Sequence, residues 1–114
     1  MQAALVVTWT DAKAGREMKA LEYAAEVAEY WGKKAADGKC TVPEMFMSSA
    51  TGHGTWIVKG DRTTLEELQD DTAARMLLAR GNVLLEHFTS EIEMADESVQ
   101  EYFAMFASAV ESMS

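Results

Sequence analysis

An α+β fold of order β-α-β-β-α-β-α is what this sequence predicts, and three observations carry it. Ala3–Thr10, AALVVTWT, is a run of β-branched and aromatic residues closed by Asp11, the pattern of a strand. Met45–Gly60 holds two short apolar runs, Met45–Met47 and Trp56–Val58, around the turn-rich centre Ser48–Gly54. That is a β-hairpin with a loop longer than two residues. On either side of the hairpin the apolar spacing changes to a helical period.

Each element follows from its residues. In the first strand Leu5, Val7 and Trp9 face one way and Ala4, Val6 and Thr8 the other, so both faces carry bulk and an interior position is expected. The first helix starts near Ala14, with Met18, Leu21, Ala25, Ala28 and Trp31 as its apolar stripe and Ala24 and Val27 beside it. Gly32 or Gly38 supplies the left-handed residue that ends it. The second strand spans Val42–Ser49; Pro43 cannot donate a ladder hydrogen bond, which places this strand at an edge or starts its pairing after Pro43. Gly54–Lys59 is the third strand.

Thr63-x-x-Glu66 and Thr64-x-x-Glu67 both match the capping box and predict the start of the second helix. Its stripe is Leu65, Leu68, Thr72, Met76 and Ala79, and Gly81-Asn82 ends it. A long fourth strand then runs from Val83 to about Met94. The last helix has Asp96 as N-cap and aligns Val99, Phe103, Phe106 and Val110, with Tyr102 and Met113 near them. A helix so rich in aromatic rings must dock on something.

A chain of 114 residues forms one domain, and the one proline and the lack of low-complexity tracts leave no linker. Nineteen acidic against ten basic side chains give a net charge of −9, which repels phosphate backbones and anionic lipid heads. Nucleic acid and membrane surfaces are therefore not expected as partners. The apolar N-terminal run has no basic segment before it and reads as a strand rather than a signal peptide. No stretch reaches the roughly 18 apolar residues of a membrane span. The single cysteine, Cys40, fits a reducing compartment. Together these features predict a cytoplasmic protein.

The first six elements make the split βαβ, or ferredoxin-like, arrangement. Right-handed crossovers put the first and third strands at the centre of a four-stranded antiparallel sheet, with both crossover helices on one face. Apolar residues on both faces of the first and fourth strands then leave an uncovered face. Such a face marks an interface, and a second copy packing sheet to sheet is expected to cover it. The last helix is the rival cover.

With V-V-T-W at Val6–Trp9, G-H-G-T-W-I-V at Gly52–Val58 and a long fourth strand, the chain resembles the dimeric α+β barrel superfamily. The likeness covers Ala3 to about Met94, is nearest to small uncharacterised members, and rests on element order and hydrophobic pattern. It implies a homodimer whose two sheets face each other and a pocket between sheet and helices. The superfamily includes cofactor-independent monooxygenases, lactone isomerases, haem-binding enzymes and ligand-sensing domains, so the fold does not choose the function.

Two readings follow. In the first, the protein binds a small hydrophobic ligand without catalysis; Trp9, Trp56, Tyr102 and Met45 (with Met47 and Met76) line the pocket, and His53 in the glycine-flanked hairpin loop sits at its rim. In the second, it is a cofactor-independent monooxygenase- or isomerase-type enzyme. There His87 or Glu86 moves the proton, the histidine because its pKa lies near neutrality and the carboxylate because burial would raise its own. The plain structural alternatives are an interface histidine at His87, an exposed turn residue at His53, a bulge turning Glu86 to solvent, and core packing for the rings. On the fourth strand His87 should share a side with Leu85 and Thr89, and Glu86 with Leu84, Phe88 and Ile92. Two histidines 33 residues apart in the intervening chain and one distant cysteine make no metal spacing, so neither metal nor cofactor is expected.

Overall fold

The structure, a computed structural model, describes residues 1–114. Four strands form one antiparallel sheet in the order β3-β4-β1-β6: β1 is Gln2–Trp9, β3 Glu44–Met47, β4 Gly54–Asp61 and β6 Thr89–Met94. A small second sheet pairs β2, Asp11–Ala12, with β5, Leu85–Glu86. The helices are α1, Glu17–Ala36; α2, Arg62–Asp70; α3, Thr72–Leu84; and α4, Glu97–Ser112. The two central strands are thus the two that were expected there, and β3 is an edge strand whose pairing starts after Pro43.

Strict alternation divides the sheet. Leu5, Val7, Trp56 and Val58 are buried and join Tyr23, Val27 and Trp31 of α1, Leu65 and Leu68 of α2, and Leu77 and Leu84 of α3 in a single core. In α1 the stripe is therefore Tyr23-Val27-Trp31. Met18, Leu21, Ala25 and Ala28, which were expected in the stripe, are exposed. Alanine and methionine carry little directional information, whereas the larger rings of Tyr23 and Trp31 choose the face they can bury. Gly15, with φ +80, delays the helix start to Glu17, and Gly38, with φ +75, supplies the left-handed residue at its end while Gly32 stays helical.

The second crossover differs most from expectation. Its N-cap is Asp61, not a threonine: the Asp61 carboxylate accepts from the Thr63 and Thr64 N–H groups at 3.1 and 3.4 Å. The expected continuous helix breaks at Asp71, whose extended backbone (φ −62, ψ 142) ends α2 and opens α3. The break resets the helical phase, so Ala74, Leu77, Gly81 and Leu84 are buried while Thr72, Met76 and Ala79 are exposed. Gly81-Asn82 does not end the helix, because Gly81 packs against the Phe88 ring inside it.

The long fourth strand does not form as one piece. Val83 and Leu84 are helical, β5 is two residues, and His87 takes a left-handed backbone (φ 50) before β6 begins. This kink cancels the simple alternation. His87 shares no strand face with Leu85 and Thr89, and Glu86 points to solvent rather than joining Phe88 and Ile92. Along β6, register with β1 puts Ile92 beside Leu5 on the helical side, and Thr89, Glu91 and Glu93 beside Thr8, Val6 and Ala4 on the other.

The open face of the sheet therefore carries Val6, Ile57 and Phe46 among Glu44, Lys59, Glu91 and Glu93, and is less apolar than expected. Nor does α4 cover it. The Ser98 hydroxyl, donating to the Gln2 carbonyl at 2.7 Å, pins the first turn of α4 to the start of β1. Beyond that turn the helix projects from the body with Tyr102, Phe103, Phe106 and Val110 exposed.

Candidate functional site

At the carboxyl end of β1, the α1 face of the sheet opens into a cavity of about 340 Å³, within the usual range for a small-molecule pocket. Alternation builds its floor: Trp9, Trp56, Met45 and Met47 project to the same side of three adjacent strands. Its wall is α1, through Ala20, Leu21, Tyr23, Ala24 and Val27. Gly54 is what lets the floor close, since a Cβ there would fall 2.2 Å from the Trp9 ring. Trp56 in turn packs on Trp31, with ring centroids 5.8 Å apart.

Of the residues singled out from the sequence, Trp9, Trp56 and Met45 line this one cavity. His53 is exposed on the hairpin loop, where its carbonyl accepts from the Ser48 N–H and its neighbour Gly52 touches the cavity. His87 stands just outside, its Nδ1 2.8 Å from the Thr10 hydroxyl, between the cavity residues Trp9 and Asp11 in the facing chain. Glu86 is exposed and lies opposite Asp11 in the β2–β5 pair. Tyr102 belongs to α4, and Met76 to the outer side of α3. Neither lines the cavity.

The sequence reading passed over Asp11 and Glu17, the two charged residues of the lining, and Leu21 beside them, while Met47 lines the cavity next to Met45. Asp11 comes two residues after the end of β1, and a polar turn at the carboxyl end of a central strand was the available signal. No three His, Cys, Asp or Glu side chains come together as a metal site. No helix is long and apolar enough to cross a membrane.

Tyr23 couples the cavity to the core. Its ring is part of the lining and its buried hydroxyl donates to the Leu77 carbonyl at 2.7 Å. Burial pushes this hydroxyl up to about 12, and the same cause, with a hydrogen bond to Asp71, raises Tyr30 to about 12. A folded-state pKa above the unfolded value near 10 means stability that is complete below pH 10 and lost as pH rises towards 12. Denaturation midpoints measured from pH 8 upwards should therefore hold to about pH 10 and then fall. The double variant Tyr23→Phe, Tyr30→Phe should start less stable and lose that alkaline slope.

No protein-family model and no curated protein matches the sequence. Solved structures do. Rv0793 from Mycobacterium tuberculosis superposes with TM-score 0.63 at 13% identity, over 84% of this chain and 96% of that one. SO0527 from Shewanella oneidensis gives 0.63 at 18%, over 80% and 87%. An antibiotic biosynthesis monooxygenase gives 0.63 at 18%, over 82% and 98%. The chain has the ferredoxin-like fold of these structures. At such identities the likeness is one of fold, and the activity has to be argued from this cavity.

Proposed function

We infer that the protein binds a small, largely apolar molecule in the cavity between α1 and the β1–β4–β3 floor. The observation that supports this most is the cavity itself: four large apolar side chains from three strands meet an alanine-rich helix wall without filling the space between them. A concave, mainly apolar lining with a few polar groups is the usual form of a small-molecule site. The neutral dye N-phenyl-1-naphthylamine should brighten on binding and raise the melting temperature. Ala24→Phe, which places a ring in the cavity, should abolish both effects. Unchanged dye binding in that variant would put the site elsewhere.

A homodimer is part of the same proposal. The rings of Tyr102, Phe103 and Phe106, each about half exposed, offer roughly 300 Å² by the usual area of an aromatic side chain. Val110 and Met113 extend that stripe, and Val6, Ile57 and Phe46 add the open sheet face. Together they approach the roughly 800 Å² per partner of a stable interface. Two unpartnered surfaces on one chain suit a two-fold contact in which each protomer covers the other. Light scattering should report twice the 12.6 kDa chain mass. Phe103→Asp with Phe106→Asp should return it to 12.6 kDa with the helix content kept. A wild-type protein already at the lower mass removes the dimer from the proposal.

The likeness to an antibiotic biosynthesis monooxygenase favours a second reading, a cofactor-independent monooxygenase- or isomerase-type enzyme on a hydrophobic substrate. His87, held on Thr10 beside the cavity, or Glu86 next to it, would then take the substrate proton. Oxygen uptake or isomerisation that survives in both His87→Ala and Glu86→Gln would remove these two groups from that role.

A further inference from the structure

We propose that the cavity selects organic cations: an amine or quaternary ammonium carried on an aromatic or other apolar body. This rests on the binding reading above and adds the charge of the ligand to it. Among the lining residues only Asp11 and Glu17 are charged, and both are acids. One oxygen of each is engaged locally. Asp11 Oδ1 accepts from the Ala12 N–H at 2.8 Å, and Glu17 Oε1 from the Gly15 N–H at 3.1 Å. The second oxygens, Oδ2 and Oε2, make no hydrogen bond within the chain, and neither carboxylate forms an ion pair.

The cations nearest in sequence are turned away. Lys13 donates its ammonium to the Asn82 carbonyl at 3.0 Å, and Arg16 its guanidinium to the Val83 carbonyl at 3.1 Å. Both sit on the last turn of α3, where the unpaired carbonyls and the negative end of the helix dipole hold them. The β2–β5 ladder adds a third acid, Glu86, opposite Asp11; the one other titratable group there, His87, is bonded to Thr10. Two solvent-exposed carboxylates therefore stand in the lining beside an aromatic floor, with no basic residue in that lining to neutralise them.

The floor suits the same ligand. Indole faces carry negative electrostatic potential and attract ammonium groups, most strongly where water is excluded. The methionine sulfurs of Met45 and Met47 add polarizable contact without a positive charge. An anionic ligand would meet two like charges and no donor from a basic side chain. A neutral one would gain the apolar contacts alone.

Calorimetric titration of the 114-residue chain with three probes of similar shape tests this: naphthylmethylammonium, naphthylmethanol and naphthoate. The ammonium should bind about ten-fold or more tightly than the alcohol, and the carboxylate most weakly, with added salt weakening only the ammonium. In Asp11→Asn, Glu17→Gln the ammonium-to-alcohol ratio should fall close to one. Equal affinities for the three probes, or a preference for the carboxylate, would overturn the charge selection while leaving the apolar cavity as a binding site. If none of the three binds, both the cation inference and the binding reading fall.

Discussion

Trp56→Ala should cost about 3–5 kcal/mol and should remove ligand binding with it. Trp56 is 4% exposed on a central strand and packs on Trp31 on one side while forming the cavity floor on the other. Removing the indole deletes core contacts and merges the existing cavity with the new void, which the surrounding strands cannot close. Denaturant unfolding followed by circular dichroism measures the loss. Trp56→Phe, which keeps a ring in the floor, should recover most of the stability and part of the dye binding. A cost below about 1 kcal/mol for the alanine variant would mean that Trp56 does not join the core to the site.

Gly81→Ala should destabilise by about 1–3 kcal/mol, against the trend for its secondary structure. In an exposed helix interior the same change gains about 1 kcal/mol. Here the new Cβ would lie 2.5 Å from the Phe88 ring and 2.7 Å from the Tyr23 hydroxyl. Neither neighbour yields easily: the Tyr23 hydroxyl is bonded to Leu77, and Phe88 is seated by the kink at His87. Phe88→Leu in the Gly81→Ala background should restore part of the loss, a non-additivity that only touching residues show. Simple addition of the two effects would place Phe88 away from Gly81.

These two positions differ in how far the sequence discloses them. Trp56 is legible, because period-two alternation around a turn-rich loop puts it on a strand and on the same face as Val58. Gly81 is not. A glycine followed by asparagine late in a helical pattern reads as a stop signal, and only the approach of Phe88 shows that it is a packing position. The same limit explains the fourth strand. Val83–Met94 is uniformly compatible with extended chain, and nothing local in it announces that α3 will consume Val83 and Leu84 or that His87 will turn left-handed.

The candidate site divides in the same way. Trp9, Trp56 and Met45 converge because side chains alternate across paired strands, a regularity present in the one-dimensional pattern. Asp11 and Glu17 enter the lining because the chain leaves β1, makes a short ladder with β5 and turns back at Gly15. That path depends on contacts with residues some seventy positions away, such as the Lys13–Asn82 and Arg16–Val83 hydrogen bonds.

By itself the sequence determined the order of the main elements, the central place of the first and third predicted strands, the start of the second strand's pairing after Pro43, and an acidic surface. Each of these follows from local periodicity, turn chemistry or charge, which neighbouring residues decide among themselves. Tertiary structure alone decided which stripe of α1 is buried, where the second crossover breaks, how His87 and Glu86 are turned out of the sheet, and that α4 stands free of its own domain. Those outcomes are settled by packing between distant segments, where the largest rings bury first and the chain between them bends to allow it.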